Sequence, residues 1–364
     1  MIFSKKKNDI SDISLSITQK RWMKFKTMKR GYYSFLIIIF LYSLSWILPI
    51  LVNNKAIIMS YEGQYYYPAL HDFSLIKNKT YLGKDFNQDK PGEIDYLKLQ
   101  ATWKNSNSDN WLIMPLYTHD PYSDINSGNK MYEPPMGPGK HWLGTDDTGR
   151  DVFARLLYAF NISITFALIL TVINYIIGIS IGGSMGYFGG KFDLFFQRII
   201  EVWSTLPLLF VIIIIASIIR PTFLVLIGIY LLVNWIGMTY LMRAEFYREK
   251  SKDYVAAAIS MGQSNKTIIF KHILPNSLVP IITYFPFAIV SGIGSLVSLD
   301  YLGFGMPPPT PSWGQMMDVG LQNISKWWMV FAPTGAQFIT LLLIVFIGEG
   351  IREAFDPKVH SRLR

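Results

Sequence analysis

The chain has 364 residues and a net charge of +9, with 51% hydrophobic and only 16% charged residues. Soluble domains contain about 25% charged residues, so this composition argues against a soluble enzyme. Cysteine is absent, which excludes disulfides, thiolate nucleophiles and cysteine-ligated metal or iron–sulfur sites.

Residues 1–33 form a basic arm that contains nine of the 34 Lys and Arg residues. An uncharged run of 19 residues follows at Ser34–Val52. As a helix this run is about 28 Å long, near the thickness of a bilayer core. A cleaved signal peptide is the alternative, but the basic arm is too long and residues 53–55 offer no small-residue cleavage site. The pattern predicts a cytoplasmic arm followed by a first transmembrane helix.

Five further uncharged apolar runs are predicted as transmembrane helices, because a helix satisfies its own backbone hydrogen bonds in lipid. They are Ile162–Ser184, Val202–Ile219, Thr222–Met242, Leu278–Leu299 and Met329–Gly348. The predicted fold class is an all-α polytopic membrane protein with six spans, whose core is residues 159–355.

The distribution of Lys and Arg predicts the orientation of these spans. With the arm inside, basic residues cluster in segment 186–201, in segment 243–276 and in the tail at 356–364. The short segments on the other side contain only Arg220 and Lys326. Both termini are therefore expected in the cytoplasm, and residues 53–158 outside.

The outer segment 53–158 is rich in Tyr and Trp and has a Pro/Gly cluster at 134–139. Short alternating stretches bounded by Gly, Asn and Asp predict a small irregular or β-containing lobe. Contact with substrate or an external partner is one hypothesis for it, and a capping lobe without such contacts is the other.

No pattern of catalytic residues or metal ligands stands out. The five histidines have no metal-ligand spacing, which favours surface or hydrogen-bonded histidines over a metal site; they are His71, His119, His141, His272 and His360. Each Gly-Lys pair is followed by Asp, His or Phe, so none supplies the Ser or Thr of a nucleotide-binding loop. We therefore expect no catalytic, cofactor-binding or metal-binding residues.

The middles of the spans hold neutral polar groups such as Asn174, Asn234 and Gln337, while Glu201 and Glu349 lie at cytoplasmic ends. Ion-driven transporters usually keep ionisable groups at mid-depth. Amides at such positions more often join helices than bind substrate. If the chain moves a solute, the energy is expected to enter from elsewhere.

Segment 243–276 is too polar to span a membrane. Asp253 is placed to cap a short helix at Tyr254–Met261, and Gly262 is placed to end it. Three alanines at 256–258 give the helix a small face that allows another surface to approach closely. A second segment, Asn265–His272, leads back to the membrane. An amphipathic hairpin on the bilayer surface is the alternative.

The order of residues in this segment resembles the EAA loop of bacterial ABC-importer permeases, with Asp253 in place of the usual Glu. In that family the loop forms a coupling helix that docks in a groove of the ATP-binding subunit. The resemblance implies the coupling residues Asp253, Tyr254, Ala256, Ala257, Gly262, His272, Pro275 and Asn276.

Two more blocks narrow the resemblance. Residues 141–152 look like the LGTDxxGRDV block of dipeptide and oligopeptide permeases, and residues 302–314 resemble the external loop after their fifth helix. The resemblance is dense over 141–357. Segments 29–32 and 61–68, with the long lobe, are most similar to the permease of an oligopeptide and microcin C importer.

The resemblance implies a type-1 ABC permease fold and four kinds of partner. These are a second, homologous permease chain, two ATP-binding domains that bind ATP and Mg²⁺, an external solute-binding protein and the lipid bilayer. It implies no cofactor on this chain and no nucleic acid. Peptides are the implied solute class; an antibiotic peptide-nucleotide, a nickel chelate and an oligosaccharide stay open.

Several residues of these blocks are expected to act in structure or gating. Thr148 and Asp151 have the spacing of a capping box, Arg198 and Glu201 can pair on one helical face, and Pro207 permits a bend. The stiff stretch 307–311 either contacts a binding protein or braces an outer gate. The full set is Gly144, Asp146, Gly149, Arg150, Asp151, Arg198, Glu201, Pro207, Gly303, Gly305, Trp313 and Gly314.

The sequence thus predicts the permease subunit of an ATP-driven peptide importer that forms half of a translocation pathway. A secondary transporter or channel acting alone is the first alternative, and it predicts activity without ATP-binding subunits. A membrane-embedded enzyme or scaffold is the second, and it predicts no accumulation of solute.

Overall fold

A computed structural model describes residues 16–73, 81–88, 92–106 and 109–355. Three of its helices are long and apolar enough to cross a membrane, and two bent pairs each qualify as a further, broken span. That gives up to five spans within the described ranges, and the count of six stays a prediction. The predicted tail at 356–364, His360 and part of the basic arm lie outside the described residues.

The amino-terminal region consists of α1 (Ile17–Thr27), α2 (Lys29–Ser45) and α3 (Leu48–Leu51). The predicted first span is therefore not one helix over Ser34–Val52, because it begins earlier and breaks ahead of Pro49. Helix α2 packs closely on the last helix: a Cβ added to Gly31 would lie 2.8 Å from the carbonyl oxygen of Phe346.

Residues between α3 and the first long helix form a lobe with a three-stranded antiparallel sheet of order β2-β1-β3. The strands are β1 (Ile58–Tyr61), β2 (Gln64–Tyr66) and β3 (Trp111–Ile113), and α4 (Tyr96–Asn105) packs beside them. Met59, Leu99 and Leu112 are buried between sheet and helix. The position of this lobe outside the membrane stays a prediction.

Helix α5 (Val152–Phe188) has 37 residues and contains the predicted second span. Its glycines lie against α9 (Trp235–Lys250), and a Cβ at Gly182 would lie 2.2 Å from the carbonyl oxygen of Thr239. A Cβ at Gly186 would lie 2.6 Å from that of Arg243. The small residues of α5 thus allow close helix packing.

The third and fourth predicted spans, 202–219 and 222–242, are each a pair of helices instead of one straight helix. Helices α6 (Gly190–Ser204) and α7 (Leu208–Ile218) are bent by 69° at a break that contains Pro207. Proline has no N–H for the helix ladder, which explains this bend. Helix α8 (Phe223–Val233) meets α9 at 43°.

Segment 243–276, which is predicted to be cytoplasmic, contains α10 (Asp253–Ser260) and the start of a continuous helix over Asn265–Tyr301. That helix comprises α11 (Asn265–Thr267), a π-helical turn (Ile268–Ile273) and α12 (Leu274–Tyr301). The predicted segment Asn265–His272 is therefore the first part of the helix that contains the fifth predicted span, Leu278–Leu299. Helices α13 (Trp313–Gln322) and α14 (Trp327–Phe355) follow, and α13 was not predicted.

Candidate functional site

Helix α10 is anchored to the end of the bundle by two buried side chains. Val255 and Ala258 are both at 0% exposure, and they lie in one cluster with Phe246 of α9 and Ile273 of the π-helical turn. Side chains three residues apart share one face of a helix. Helix α10 therefore turns a single apolar edge toward the bundle.

The opposite face of α10 is exposed and combines the small side chains of Ala256 and Ala257 with the larger side chain of Ile259, which is 50% exposed. Ala256 and Ala257 are exposed, and Met261 beside them is exposed at 70%. The expectation that all three alanines form one accessible face is wrong for Ala258. Each residue of a helix turns by about 100°, so three successive side chains cannot share a face.

The start of α10 differs from the prediction, whereas its end agrees with it. Asp253 is the first helical residue and Lys252 is the N-cap, so the expectation that Asp253 caps the helix is wrong. An acidic residue in the first turn still complements the helix dipole. Gly262 has φ +71° just past the last turn, which is the left-handed conformation that glycine adopts most readily.

A buried carboxylate connects α10 with the helices on either side. Glu249 of α9 is 2% exposed and accepts hydrogen bonds from Lys252 Nζ at 2.6 Å and from the Tyr254 hydroxyl at 2.7 Å. Asn276 Nδ2 donates to the Tyr254 hydroxyl at 3.3 Å and to the His272 carbonyl at 2.8 Å. Burial and the Glu249 carboxylate raise the pKa of Tyr254 to about 12.

Three of the predicted coupling residues thus meet in one network, and Pro275 lies beside them in the chain. Sequence analysis missed Glu249. The available signal was its position four residues ahead of Asp253 in a segment with several basic residues, but nothing in the spacing distinguishes a buried glutamate from a solvated one.

A second cluster joins α6 to α9. Arg243 binds Asp193 through two bonds, with Nε at 2.5 Å from Oδ1 and Nη2 at 2.6 Å from Oδ2. The Tyr247 hydroxyl donates to the same carboxylate at 2.8 Å. This bidentate geometry fixes α6 ahead of its bend. Sequence analysis did not identify these residues.

The predicted pair Arg198–Glu201 is present in the structure, with Nη1 at 2.6 Å from Oε2. The two side chains are exposed at 77% and 43%, and a pair in solvent contributes little to stability. Pro207 lies at the start of α7, where the 69° bend occurs.

The block at 141–152 forms a junction at the start of α5. Asp146 Oδ1 accepts from the backbone amides of Thr148 and Arg150 at 2.9 Å each, and its Oδ2 accepts from Arg150 Nε at 2.7 Å. Gly144 has φ +73°, and a Cβ there would lie 2.4 Å from the carbonyl oxygen of Glu133. Gly149 also has positive φ, at +84°.

Asp151 is the N-cap of α5 and accepts from the Ala154 amide at 2.6 Å. Thr148 lies ahead of the helix and bonds to Asp146, so the predicted capping box of Thr148 and Asp151 is wrong. The carboxylate of Asp151 also accepts from the Tyr117 hydroxyl at 2.6 Å and bonds to His141 Nδ1 at 2.7 Å.

The structure brings together two histidines that the sequence analysis left separate. The rings of His119 and His141 lie 4.1 Å apart, and Asp151 completes a group whose ligand atoms lie within 4.8 Å of one another. The planes of the two rings are tilted by 35°, and His141 Nδ1 is engaged by the Asp151 carboxylate at 2.7 Å. Asp151 is moreover occupied by three hydrogen bonds.

Arg155 clamps the stretch 307–311 to the lobe. Its side chain is 1% exposed, and Nη1 donates to the carbonyls of Pro121 at 3.2 Å and Pro309 at 3.1 Å. Nη2 donates to the Thr310 carbonyl at 3.4 Å. These contacts favour bracing over a free docking loop for this stretch.

The loop after α12 closes around a buried aspartate. Asp300 accepts from the Met306 amide at 2.9 Å and from the Ser312 hydroxyl at 2.6 Å. A Cβ at Gly305 would lie 1.7 Å from Asp300 Oδ1, and one at Gly314 would lie 2.2 Å from the Val297 carbonyl oxygen.

The neighbouring Trp313 is 1% exposed and donates to the Leu156 carbonyl at 3.1 Å. Gly303 has φ +79° at the turn. These residues therefore have packing roles, and the Asp300 carboxylate was missed by sequence analysis.

Two of the groups of predicted residues lie at opposite ends of α5. The Gly144–Asp151 block lies at its first turn, and the α10 network lies near its last. A helix of 37 residues is about 55 Å long, which exceeds the thickness of a bilayer core. One group is built around buried loops, and the other exposes a short helix with small side chains.

Comparison with known proteins identifies the family of this chain. Residues 175–361 match the family described as binding-protein-dependent transport system inner membrane component. The chain belongs to this permease family. The match covers α6 to α14 and includes the α10 network.

Relatives of this permease include peptide transport permeases. The peptidoglycan transport system permease protein YejE of Agrobacterium fabrum is 38% identical over 369 residues, covering 95% of this chain and 94% of that protein. The inner membrane ABC transporter permease protein YejE of Escherichia coli is 38% identical over 344 residues, covering 94% and 97%. The oligopeptide transport system permease protein OppC of Bacillus subtilis is 32% identical over 252 residues, covering 69% and 81%.

These matches confirm the resemblance to peptide-class ABC permeases of the YejE type. The permease is a membrane-spanning transport subunit, and subunits of this kind are not enzymes themselves.

Proposed function

We propose that this permease forms half of the translocation pathway of an ATP-driven importer and that α10 is its contact with a separate ATP-binding subunit. The single observation that supports the proposal most is the pairing of an exposed face, Ala256 and Ala257, with a buried edge, Val255 and Ala258. A helix without buried contacts would move under force independently of the bundle, whereas α10 is anchored to the bundle.

The α10 network provides the connection from the docking surface to the spans. Glu249 belongs to α9, Tyr254 to α10 and Asn276 to α12. When ATP closes the nucleotide-binding domains, a push on α10 is transmitted to both helices. Hydrolysis then lets the spans return.

Two bent spans supply the mobility that alternating access needs. The 69° bend at Pro207 and the 43° bend between α8 and α9 interrupt the helical ladders of the third and fourth predicted spans. Breaks of this kind absorb changes of backbone angle more readily than a regular helix does.

In this proposal both termini and α10 are in the cytoplasm, and the lobe faces outward. A homologous permease chain supplies the other half of the pathway, and a solute-binding protein delivers the solute to the outer face. Arg155 holds stretch 307–311 against the lobe, so these residues act as one braced unit around the outer gate.

The solute class is peptides or peptide-containing molecules. Relatives named as peptidoglycan, oligopeptide and dipeptide transport permeases support this class. A peptidoglycan fragment contains a peptide stem and a sugar, so a wide and partly hydrated pathway suits each of these solutes.

Reconstitution of the assembled transporter in proteoliposomes tests the proposal. The solute is a tryptic digest, and the peptides accumulated inside are identified by mass spectrometry. The proposal predicts uptake that needs ATP, the ATP-binding subunits and the solute-binding protein. Uphill uptake by this chain alone would overturn it and favour a secondary transporter.

A further inference from the structure

Helix α1 is a short, separately capped helix directly ahead of the predicted first span. The Ser16 hydroxyl accepts from the Gln19 amide at 3.2 Å, and the Gln19 side chain accepts from the Ser16 amide at 2.9 Å. This capping box fixes where the helix begins. Helix α2 follows after the single residue Met28, whose backbone is not helical. Helix α1 is therefore an element of its own and not a straight continuation of the first span.

Helix α1 packs on the last turns of α14. Phe25 is 4% exposed and lies in one cluster with Ala354. A Cβ added to Gly350 would lie 3.0 Å from the Phe25 ring, so the two helices are in close contact. The Arg21 guanidinium lies 4.6 Å from the centre of the Phe355 ring, within the range of a cation–π contact. Two side chains, Phe25 and Arg21, thus fix α1 against α14.

The depth of α1 relative to the membrane follows from Trp22. Its ring lies 6.0 Å from that of Phe35, which belongs to the uncharged run Ser34–Val52. Trp22 is nevertheless 44% exposed, and Lys26 Nζ lies 5.6 Å from the centre of its ring. Tryptophan is enriched where a span leaves the hydrocarbon core, because its ring sits at the level of the lipid headgroups. In the predicted topology, α1 therefore lies at headgroup depth.

The surface of α1 and of the first residues of α2 is strongly basic. Residues 16–30 contain six Lys and Arg residues and no Asp or Glu. Within the described part of the chain, none of the six forms an ion pair with a carboxylate. This surface therefore offers concentrated positive charge to an anionic partner at the membrane face. The exposed members are Lys20, Lys26, Lys29 and Arg30, and the half-buried ones are Arg21 and Lys24.

We propose that α1 and the start of α2 bind the headgroups of anionic phospholipids, such as phosphatidylglycerol, at the membrane face where the first span begins. Clusters of about four to eight Lys and Arg residues next to a span attract anionic lipids, and each charge contributes. A phosphodiester supplies the negative charge and acceptor oxygens that these cations lack, whereas a phosphatidylcholine headgroup carries its own ammonium. This inference rests on the cytoplasmic position of α1 in the proposed function and adds a lipid partner to it.

The lipid would bind to a helix that Phe25 and Arg21 already fix to the bundle. A ligand that binds only the folded state raises the stability of that state. We therefore expect phosphatidylglycerol to raise the unfolding temperature of the purified protein and phosphatidylcholine to have little effect. High salt should weaken the effect of phosphatidylglycerol, because salt screens exposed charges.

Native mass spectrometry of the purified full chain in detergent, titrated with phosphatidylglycerol, tests the site. The α1 variant combines Lys20→Gln, Lys26→Gln and Lys29→Gln, which removes three exposed charges and leaves Phe25 and Arg21 in place. Each charge at a lipid surface contributes roughly fivefold in affinity. We therefore expect the α1 variant to bind phosphatidylglycerol at least about tenfold more weakly than the unmodified protein does.

The matched control is a lobe variant that also loses three exposed charges and should bind phosphatidylglycerol normally; it combines Lys84→Gln, Lys98→Gln and Lys104→Gln. Arginine in place of the three α1 lysines keeps the charge and should also preserve binding. Equal affinity of the α1 variant and the lobe variant overturns the inference. Equal binding of phosphatidylglycerol and phosphatidylcholine by the unmodified protein overturns it as well.

The assembled transporter distinguishes a lipid partner from a protein partner. If the α1 variant binds phosphatidylglycerol normally but loses the ATP-binding subunits during purification, α1 is a protein-docking surface and the inference is overturned. An unmodified assembly that takes up no peptide, while its α1 lysines still determine the binding of phosphatidylglycerol, overturns the proposed function and supports this inference.

Discussion

The Tyr254 hydroxyl donates a hydrogen bond of 2.7 Å to the carboxylate of Glu249, which joins the first turn of α10 to the last turn of α9. Glu249 is 2% exposed, so each of its donors compensates for the removal of a charge from water. The contact connects the surface proposed to receive force with a helix that lies along α5.

Tyr254→Phe removes one donor from this buried carboxylate and leaves the ring in place. We expect a loss of about 1–3 kcal/mol in the stability of the local packing. The consequence should be ATP hydrolysis that continues with reduced peptide uptake, measured together in proteoliposomes. Tyr240→Phe, on an exposed tyrosine of α9, is the control and should keep the normal ratio. Equal ratios in the two variants would contradict the role of Tyr254.

Asp193→Asn tests the connection between α6 and α9. The carboxylate accepts two bonds from Arg243 and one from Tyr247, so the change removes the ionic acceptor and weakens all three. We expect destabilisation of roughly 1–3 kcal/mol. Thermal unfolding of the purified protein measures this change, and Glu201→Gln, in an exposed pair, should leave the midpoint nearly unaltered. Similar shifts in both variants would count against the clamp.

Arg155→Leu should release stretch 307–311 from the lobe. The change leaves the Asp146 carboxylate and the carbonyls of Pro121, Pro309 and Thr310 with one partner fewer. Removal of one side of a buried ionic contact costs about 3–5 kcal/mol. We expect chymotrypsin to cleave after Tyr301 or Phe304, in the loop that leads into 307–311, at a rate that the unmodified protein does not show. Protection equal to that of the unmodified protein would contradict the bracing role.

The stability of the lobe should depend on pH through His119. Burial lowers the pKa of His119 from its ordinary value, and the nearby His141 lowers it further, while Asp151, Asp120 and Glu133 oppose the shift. The folded state therefore favours neutral His119. Its stabilising contribution is complete above a pH of about 6.5 and is lost as the pH falls through the lowered pKa.

His119→Gln removes this titration. We expect the unfolding temperature of the unmodified protein to fall more steeply below a pH of about 6.5 than that of the variant. Differential scanning fluorimetry over a pH series measures both curves. Parallel curves would show that His119 does not titrate in the manner stated.

The sequence predicted the long apolar helices well and their interruptions poorly. Runs 162–184, 278–299 and 329–348 each lie inside one observed helix, because an uncharged run of that length has few alternatives in lipid. The break between α8 and α9 falls within a continuous hydrophobic run, where average hydropathy gives no signal. Pro207 did give one, and the bend occurs there.

The exposed residues of α10 were predicted from the sequence, whereas the buried contacts that anchor the helix were not. Ala256 and Ala257 are exposed and Gly262 ends the helix, whereas the burial of Ala258 depends on which edge of α10 meets the bundle. Arg155 and Pro309 are 154 residues apart in the chain and 3.1 Å apart in the structure. Contacts of that kind arise from the packing of helices and loops, which spacing in one sequence does not encode.

The most direct test of the account is Ala257→Trp in the complete transporter, with peptide uptake and ATP hydrolysis measured in the same proteoliposomes. Ala101→Trp, on an exposed alanine of α4 in the lobe, is the control. Because Ala257 is exposed and Val255 and Ala258 still anchor α10, the variant should insert and fold normally. The account predicts that uptake falls by more than about tenfold and that peptide no longer stimulates hydrolysis. Uptake and stimulation equal to those of Ala101→Trp would contradict the claim that α10 receives force from an ATP-binding subunit.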